Sequence, residues 1–257
     1  MKPLALAHIS DGPADAPVLV LGNSLGTTTA LWGPQLDALV HHFRVLRWDL
    51  PGHGASPSPG PEVTLTIADL ATAVVALLDD LGVAQVSYCG VSLGGMVGMS
   101  LAAHFPNRVR RLALCCTSAR LPSEPWNERA ATVRNAGMAS IAERVISRWF
   151  TPGFAAGQRV LVERFTADFV AIDVPGYAAC CEAIAEMHLV PDLALIRAPT
   201  LVITAAADLA IPPEHGTAVS AGIAGSRLIC VDNAAHLATV ERSEMITPLL
   251  VEHLVSD

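Results

Sequence analysis

The sequence predicts an α/β fold with a mostly parallel central sheet, helices on both faces, and a helical segment inserted before the last strands. Two observations carry this. Short, largely apolar runs bounded by Gly, Pro, Asn or Asp alternate with stretches of helical periodicity, and that alternation belongs to parallel sheets covered on both faces. The alternation then fails from about Leu121 to Pro191, where only helical patterns are found.

The strand runs come in order. Val18-Leu19-Val20-Leu21 ends in Gly22. Phe43 to Trp48, Val86 to Cys89, Arg111 to Cys115, Thr200 to Ile203 and Arg227 to Val231 follow. Between them, Ile67, Leu70, Val74, Leu77, Leu78 and Leu81 recur at helical spacing, and Gly82 stops that helix. Leu93 to His104 reads as a second helix, with Pro106 beyond its end. Met245 to Leu254 reads as the last. In the strandless stretch, helices are expected over Pro125–Asn135, Met138–Phe150, Ala156–Ile172 and Tyr177–Met187. Thr151-Pro152-Gly153 and Val174-Pro175-Gly176 punctuate them. Residues 1–120 and 191–257 are therefore expected to form the core, and residues 121–190 a helical lid over the sheet edge where open α/β sheets bind ligands.

Composition narrows the function classes. The chain has 257 residues, 52% of them apolar, enough for a large core and too many for a disordered chain. Its formal net charge is -8. Without a basic cluster it is not expected to bind nucleic acid. No apolar run approaches the ~20 residues of a membrane helix, and Leu4 to Ala7 is too short for a signal peptide. The expectation is a soluble cytoplasmic protein without membrane or nucleic-acid partners. The six cysteines lack zinc-site spacing and are expected to be reduced thiols. Cys89, Cys115 and Cys230 lie in strand runs, where they would pack as small apolar groups.

Gly90-Val91-Ser92-Leu93-Gly94 matches G-x-S-x-G, with a strand before it and a helix after it. A nucleophile on so tight a turn excludes side chains two residues to either side, hence the glycines. The turn lifts the Ser92 hydroxyl above the sheet and aims the Leu93 N–H at a reacting carbonyl oxygen. A serine hydroxyl needs a base. Of nine histidines, His236 lies in a loop after the last strand, in the chain order Ser, Asp, His that this motif demands. His215, His188, His104 and His253 lie near helix ends or the terminus. Asp208, separated by four residues from the strand ending at Ile203, sits at the same sheet edge and would orient the imidazole. Asp232 follows its strand too closely and is expected to cap the His236 loop. A second oxyanion donor is expected from Leu21-Gly22-Asn23-Ser24-Leu25-Gly26: the Ser24 N–H, or Leu25 with a shift of one residue. Asp49 and His53 are read as bracing the turn Asp49–Gly54, and no metal spacing occurs.

These motifs place the chain with the α/β-hydrolase fold, and it resembles the 3-oxoadipate enol-lactonases of the β-ketoadipate pathway along nearly its whole length. The resemblance rests on Leu21 to Thr27, Cys89 to Gly98, Arg148-Trp149-Phe150-Thr151-Pro152 and Gly176-Tyr177-Ala178-Ala179-Cys180-Cys181. It implies hydrolysis of 3-oxoadipate enol-lactone to 3-oxoadipate through an acyl-enzyme, with no metal or organic cofactor. The implied substrate carries a carboxylate, for which Arg120 and Arg134 are the candidate cations, with Trp126 as a pocket wall. Some relatives are fused to a decarboxylase; this chain is expected to carry none. The same triad also suits a general carboxylesterase, a cofactor-free haloperoxidase-like hydrolase, or a ligand-binding receptor on a hydrolase scaffold.

Overall fold

The structure, a computed structural model, describes residues 4–60 and 62–256. The outermost core bounds expected from sequence, residues 1 and 257, lie outside them. Seven strands form one sheet in the order β1-β3-β2-β4-β5-β6-β7. They are β1 (His8–Asp11), β2 (Val18–Gly22), β3 (Arg44–Trp48), β4 (Val86–Val91), β5 (Val109–Cys115), β6 (Thr200–Ala205) and β7 (Arg227–Val231). Only β1 runs antiparallel, paired with β3. β2 pairs with both β3 and β4, so the chain reverses its direction of travel across the sheet there. Open α/β sheets bind ligands at such a switch point, beyond the strands' C-terminal ends.

The helices are α1 (Gly33–Leu39), α2 (Ile67–Asp80), α3 (Leu93–His104), α4 (Glu124–Ala136), α5 (Ala142–Ile146), α6 (Pro152–Gly157), α7 (Arg159–Val170), α8 (Val174–Ala185), α9 (Pro213–Gly222), α10 (Ala238–Glu241) and α11 (Ser243–Val255). α2 starts at a capping box in which Thr66 and Asp69 satisfy each other's backbone amides. α3 is buried along almost its entire length, which explains why it is apolar all round.

The six strand runs read from sequence are all present. The antiparallel β1 was not foreseen: it is four residues long and mostly exposed, so no apolar alternation marks it. β7 departs from the expectation of strands buried on both faces. As the other edge strand it is largely exposed, and Cys230 on it is exposed rather than packed.

Helices α4 to α8 all fall between β5 and β6, as the strandless stretch implied. Two of the expected long helices are broken. Met138 to Phe150 divides into a 3-10 turn over Met138–Ile141 and the short α5. Ala156 to Ile172 divides at Gln158 into α6 and α7, because Thr151 caps a separate helix that begins at Pro152. Trp149, Phe150, Phe165, Phe169 and Tyr177 form an aromatic core inside this segment. Gly176 lets the segment settle on the turn after β3: a Cβ there would lie 2.5 Å from the Pro51 carbonyl oxygen. Among the described residues, no helix is long and apolar enough to cross a membrane.

Candidate active site

Ser92 is the turn residue between β4 and α3, with φ 55 and ψ -115. A non-glycine residue there is strained, and strain of this kind persists only where the surroundings enforce it. Here a stack of glycines does so. A Cβ on Gly90 would lie 2.3 Å from the Gly94 carbonyl carbon, and one on Gly94 would lie 2.3 Å from that of Gly22. The Ser92 N–H donates to the Cys115 carbonyl at 2.9 Å, and the Thr117 hydroxyl donates to the Ser92 carbonyl at 2.7 Å. The turn is therefore held from β5 as well as by its own helix.

Behind β6 and β7, two loops bring an acid to a base. The His236 Nδ1 and Asp208 Oδ2 are 2.8 Å apart, both residues nearly fully buried. The other oxygen, Oδ1, accepts the N–H groups of Ala210 at 2.8 Å and Ile211 at 2.9 Å. Asp208 is thereby fixed as an acceptor at both oxygens, so His236 must carry its proton on Nδ1 and leave Nε2 free to take one. His236 Nε2 and the Ser24 hydroxyl are 3.5 Å apart. At that length the contact is a weak one. The four histidines weighed against it are engaged elsewhere: His215 with Ser118, His104 with Asp192 and His253 with the Leu112 carbonyl, while the backbone of His188 bridges to Arg120. Asp232 is exposed and does not cap the His236 loop; the Ala235 N–H there goes to Glu241.

The loop after β2 explains its own composition. Asn23 accepts from the Trp32 indole, donates to the Trp48 carbonyl, and takes the Gly94 N–H on its backbone oxygen. Sequence reading passed over Asn23, yet it ties this loop to α3. The Ser24 carbonyl accepts both the amide and the hydroxyl of Thr27, which fixes the turn. Asp49 and His53 brace the neighbouring turn as expected. Asp49 accepts from the Thr29 and Ala55 amides, and His53 accepts from the Gly26 amide. Burial pushes the His53 imidazole down to about 4. Burial likewise raises the Asp49 carboxyl, opposed by those amides.

One confined cavity, about 40 Å³, joins these parts. Ser24, Leu25, Ser92, His236, Trp126, Arg129, Val145, Arg148 and Trp149 are among its walls. Trp126 is where the sequence reading put it. Arg120 and Arg134 are not. Arg120 opens onto a separate surface cavity of about 730 Å³ with His188 and Glu186. Arg134 forms a two-pronged ion pair with Glu182, bridging α4 and α8. The cations that reach the Ser92 cavity are Arg129 and Arg148, neither foreseen. Arg129 lies three residues after Trp126 on α4 and stacks over its ring at 4.4 Å. That i, i+3 spacing was the available signal. Arg148, within the Arg-Trp-Phe-Thr-Pro stretch, stands beside the wall residue Trp149. No carboxylate is among the residues that line the cavity.

Serine, histidine and aspartate so arranged can deliver an alkoxide equivalent to a carbonyl held in the cavity. The Leu93 N–H, at the start of α3, is adjacent to Ser92 and has no acceptor within its own helix.

The fold is shared with known proteins. Residues 17–243 match the model of the alpha/beta hydrolase fold family. A 3-oxoadipate enol-lactonase of Acinetobacter baylyi is 38% identical over 94% of this chain and 90% of its own. The crystal structure of the enol-lactonase from Burkholderia xenovorans LB400 superposes with a TM-score of 0.95, at 40% identity over 99% of this chain and 98% of that one. A malate-bound thermophilic esterase from Thermogutta terrifontis superposes at 0.89, with 28% identity over 98% of this chain and 94% of that one.

Proposed function

The chain belongs to the α/β-hydrolase fold family, and on that premise we propose that it opens a small anionic enol-lactone, 3-oxoadipate enol-lactone, by a Ser92-His236-Asp208 triad. The carrying observation is the cavity itself. Ser92 and His236 share it with two arginines and no carboxylate, in a chain whose net charge is -8. A negatively charged substrate would be repelled by the whole molecule and attracted by this one place.

In this reading His236 Nε2 takes the Ser92 proton as Oγ attacks the ring carbonyl. The tetrahedral oxyanion is held by the Leu93 and Ser24 N–H groups. Collapse breaks the ring C–O bond. The enolate oxygen leaves and takes a proton from His236, and the enol tautomerises to a ketone. Water then adds to the acyl-Ser92 carbonyl, giving its proton to His236, and Ser92 departs with that proton. The product is 3-oxoadipate, as aromatic-compound catabolism would require. Arg129 and Arg148 hold the substrate carboxylate, Arg129 kept in place by its stacking on Trp126. Residues 121–190 act as the lid.

A second reading, a carboxylesterase for small dicarboxylate esters, draws support from the similarity to the malate-bound esterase. Purified protein on 3-oxoadipate enol-lactone beside p-nitrophenyl acetate separates the two. Lactone turnover with kcat/KM of roughly 10⁴–10⁸ M⁻¹s⁻¹ and far slower ester turnover is expected. The reverse preference would move the protein to the esterases. Loss of both activities in Ser92→Ala is expected in either case.

A further inference from the structure

We infer that Glu241 is a positioning residue that holds the His236 loop and the helical segment over the site in one register. The inference rests on His236 being the base. Glu241 closes α10, is almost fully buried, and lies outside the triad. Its Oε2 accepts the Ala235 N–H at 2.9 Å. Its two oxygens accept the Thr151 N–H at 3.2 and 3.3 Å, and Oε1 also accepts a hydrogen bond from the Thr151 hydroxyl. Ala235 immediately precedes His236; Thr151 caps α6. One buried carboxylate therefore joins the peptide before the histidine to the segment that roofs the cavity.

The peptide after the histidine is tied to the same place. The Leu237 N–H donates to the Trp149 carbonyl at 2.9 Å, and Trp149 walls the cavity. The His236 backbone is thus gripped on both sides by residues 149–151, while the Ala207 N–H to the Ala234 carbonyl, at 2.9 Å, links it to the loop of Asp208. Displacing the 149–151 strap would move the imidazole. A shift of this kind, about 1 Å, is enough to cost a catalytic group roughly a hundredfold.

The donor set separates positioning from charge. In E241Q the amide oxygen can keep the Ala235 N–H while its NH₂ group donates to the Thr151 hydroxyl, which turns to accept. The bracket survives without the charge. In E241A the buried Ala235 donor and the half-buried Thr151 donors lose their acceptor.

The test is steady-state kinetics of wild type, E241A, E241Q, T151V and S92A on the lactone and on p-nitrophenyl acetate. The downfield proton resonance of His236 Nδ1 is recorded for each, at a temperature where thermal melts show each variant folded. The expected result is a kcat about 30- to 100-fold lower in E241A on both substrates, with KM changed less and the His236 resonance shifted or broadened. E241Q is expected to recover most of that loss with an unchanged pH profile. T151V, which keeps the amide contact, should lie between E241A and wild type; it carries the test if E241A does not fold. Wild-type kcat and an unmoved resonance in folded E241A, or in T151V if it stands in, would overturn the inference. So would an E241Q that is as slow as E241A with a displaced pH profile, since charge would then be the agent. S92A keeps the two levels apart: an active S92A sinks the triad reading, whereas an inert S92A beside an unaffected E241A sinks only the role of Glu241.

Discussion

Asp208→Asn is the substitution whose effect can be worked most completely from the geometry. Asp208 Oδ1 accepts two backbone N–H groups, from Ala210 and Ile211, and Oδ2 faces His236 Nδ1. An asparagine has one acceptor oxygen. If that oxygen serves the two amides, the NH₂ group faces Nδ1, which must then be unprotonated. The ring proton moves to Nε2, the atom that receives the Ser92 proton in the proposed triad, and a base of that kind would be disabled. If the amide flips to restore the useful tautomer, two N–H groups, buried at Ile211 and half-buried at Ala210, confront an NH₂ group. Each buried donor left without an acceptor costs about 1–3 kcal/mol, so the useful state lies about 2–6 kcal/mol uphill. At 1.4 kcal/mol per tenfold, kcat should fall by roughly 30-fold to 10⁴-fold. The fold should survive, because the exchange is isosteric and keeps both amide bonds. The assay is kcat on 3-oxoadipate enol-lactone, with circular dichroism and a thermal melt as the folding control. A folded variant retaining more than about a third of wild-type kcat would refute the tautomer reasoning and with it the role given to Asp208.

Three further outcomes are expected. Arg129→Met and Arg148→Met should each raise KM for the lactone about 10- to 100-fold, the value of a charge-assisted hydrogen bond, with a smaller change in kcat and little effect on p-nitrophenyl acetate. Equal effects on both substrates would remove the carboxylate from this part of the pocket. His53, buried neutral with its imidazole down at about 4 against an ordinary 6.5, binds its proton in the unfolded chain first. Its share of stability is full above pH 6.5 and declines as pH falls from 6.5 to 4, by about 3 kcal/mol. Urea midpoints across that range should fall accordingly, and fall less steeply in His53→Asn; parallel profiles would assign the acid sensitivity elsewhere. Finally, a chromogenic disulfide reagent at neutral pH should titrate one thiol, Cys230, in the native protein and all six after unfolding. Cys115, Cys116, Cys180 and Cys181 are buried and their thiols are pushed up, Cys181 to about 12. Rapid reaction of more than one thiol would contradict that packing.

The sequence by itself determined the sheet's six apolar strands, the helices that cover them, and the positions of Ser92, Asp208 and His236. These are decided by local physics. Strand runs such as Thr200–Ile203 carry their burial in their composition. The turn at Ser92 needs glycines where Gly90 and Gly94 stand. Asp208 and His236 each follow a recognisable strand in the order the motif requires. Only the tertiary structure decided which cations reach the cavity. Arg120, Arg134, Arg129 and Arg148 look alike in a sequence, because a long charged side chain is placed by the partners it finds in space: Glu182 for Arg134, the Trp126 ring for Arg129. The edge strand β1 stayed invisible for the same reason, since pairing with β3 rather than its own apolar content makes it a strand. Glu241 is the furthest case. It meets Thr151 across 90 residues of chain, and a contact at that separation is fixed by the packing of the intervening helices, not by any pattern a local reading can see.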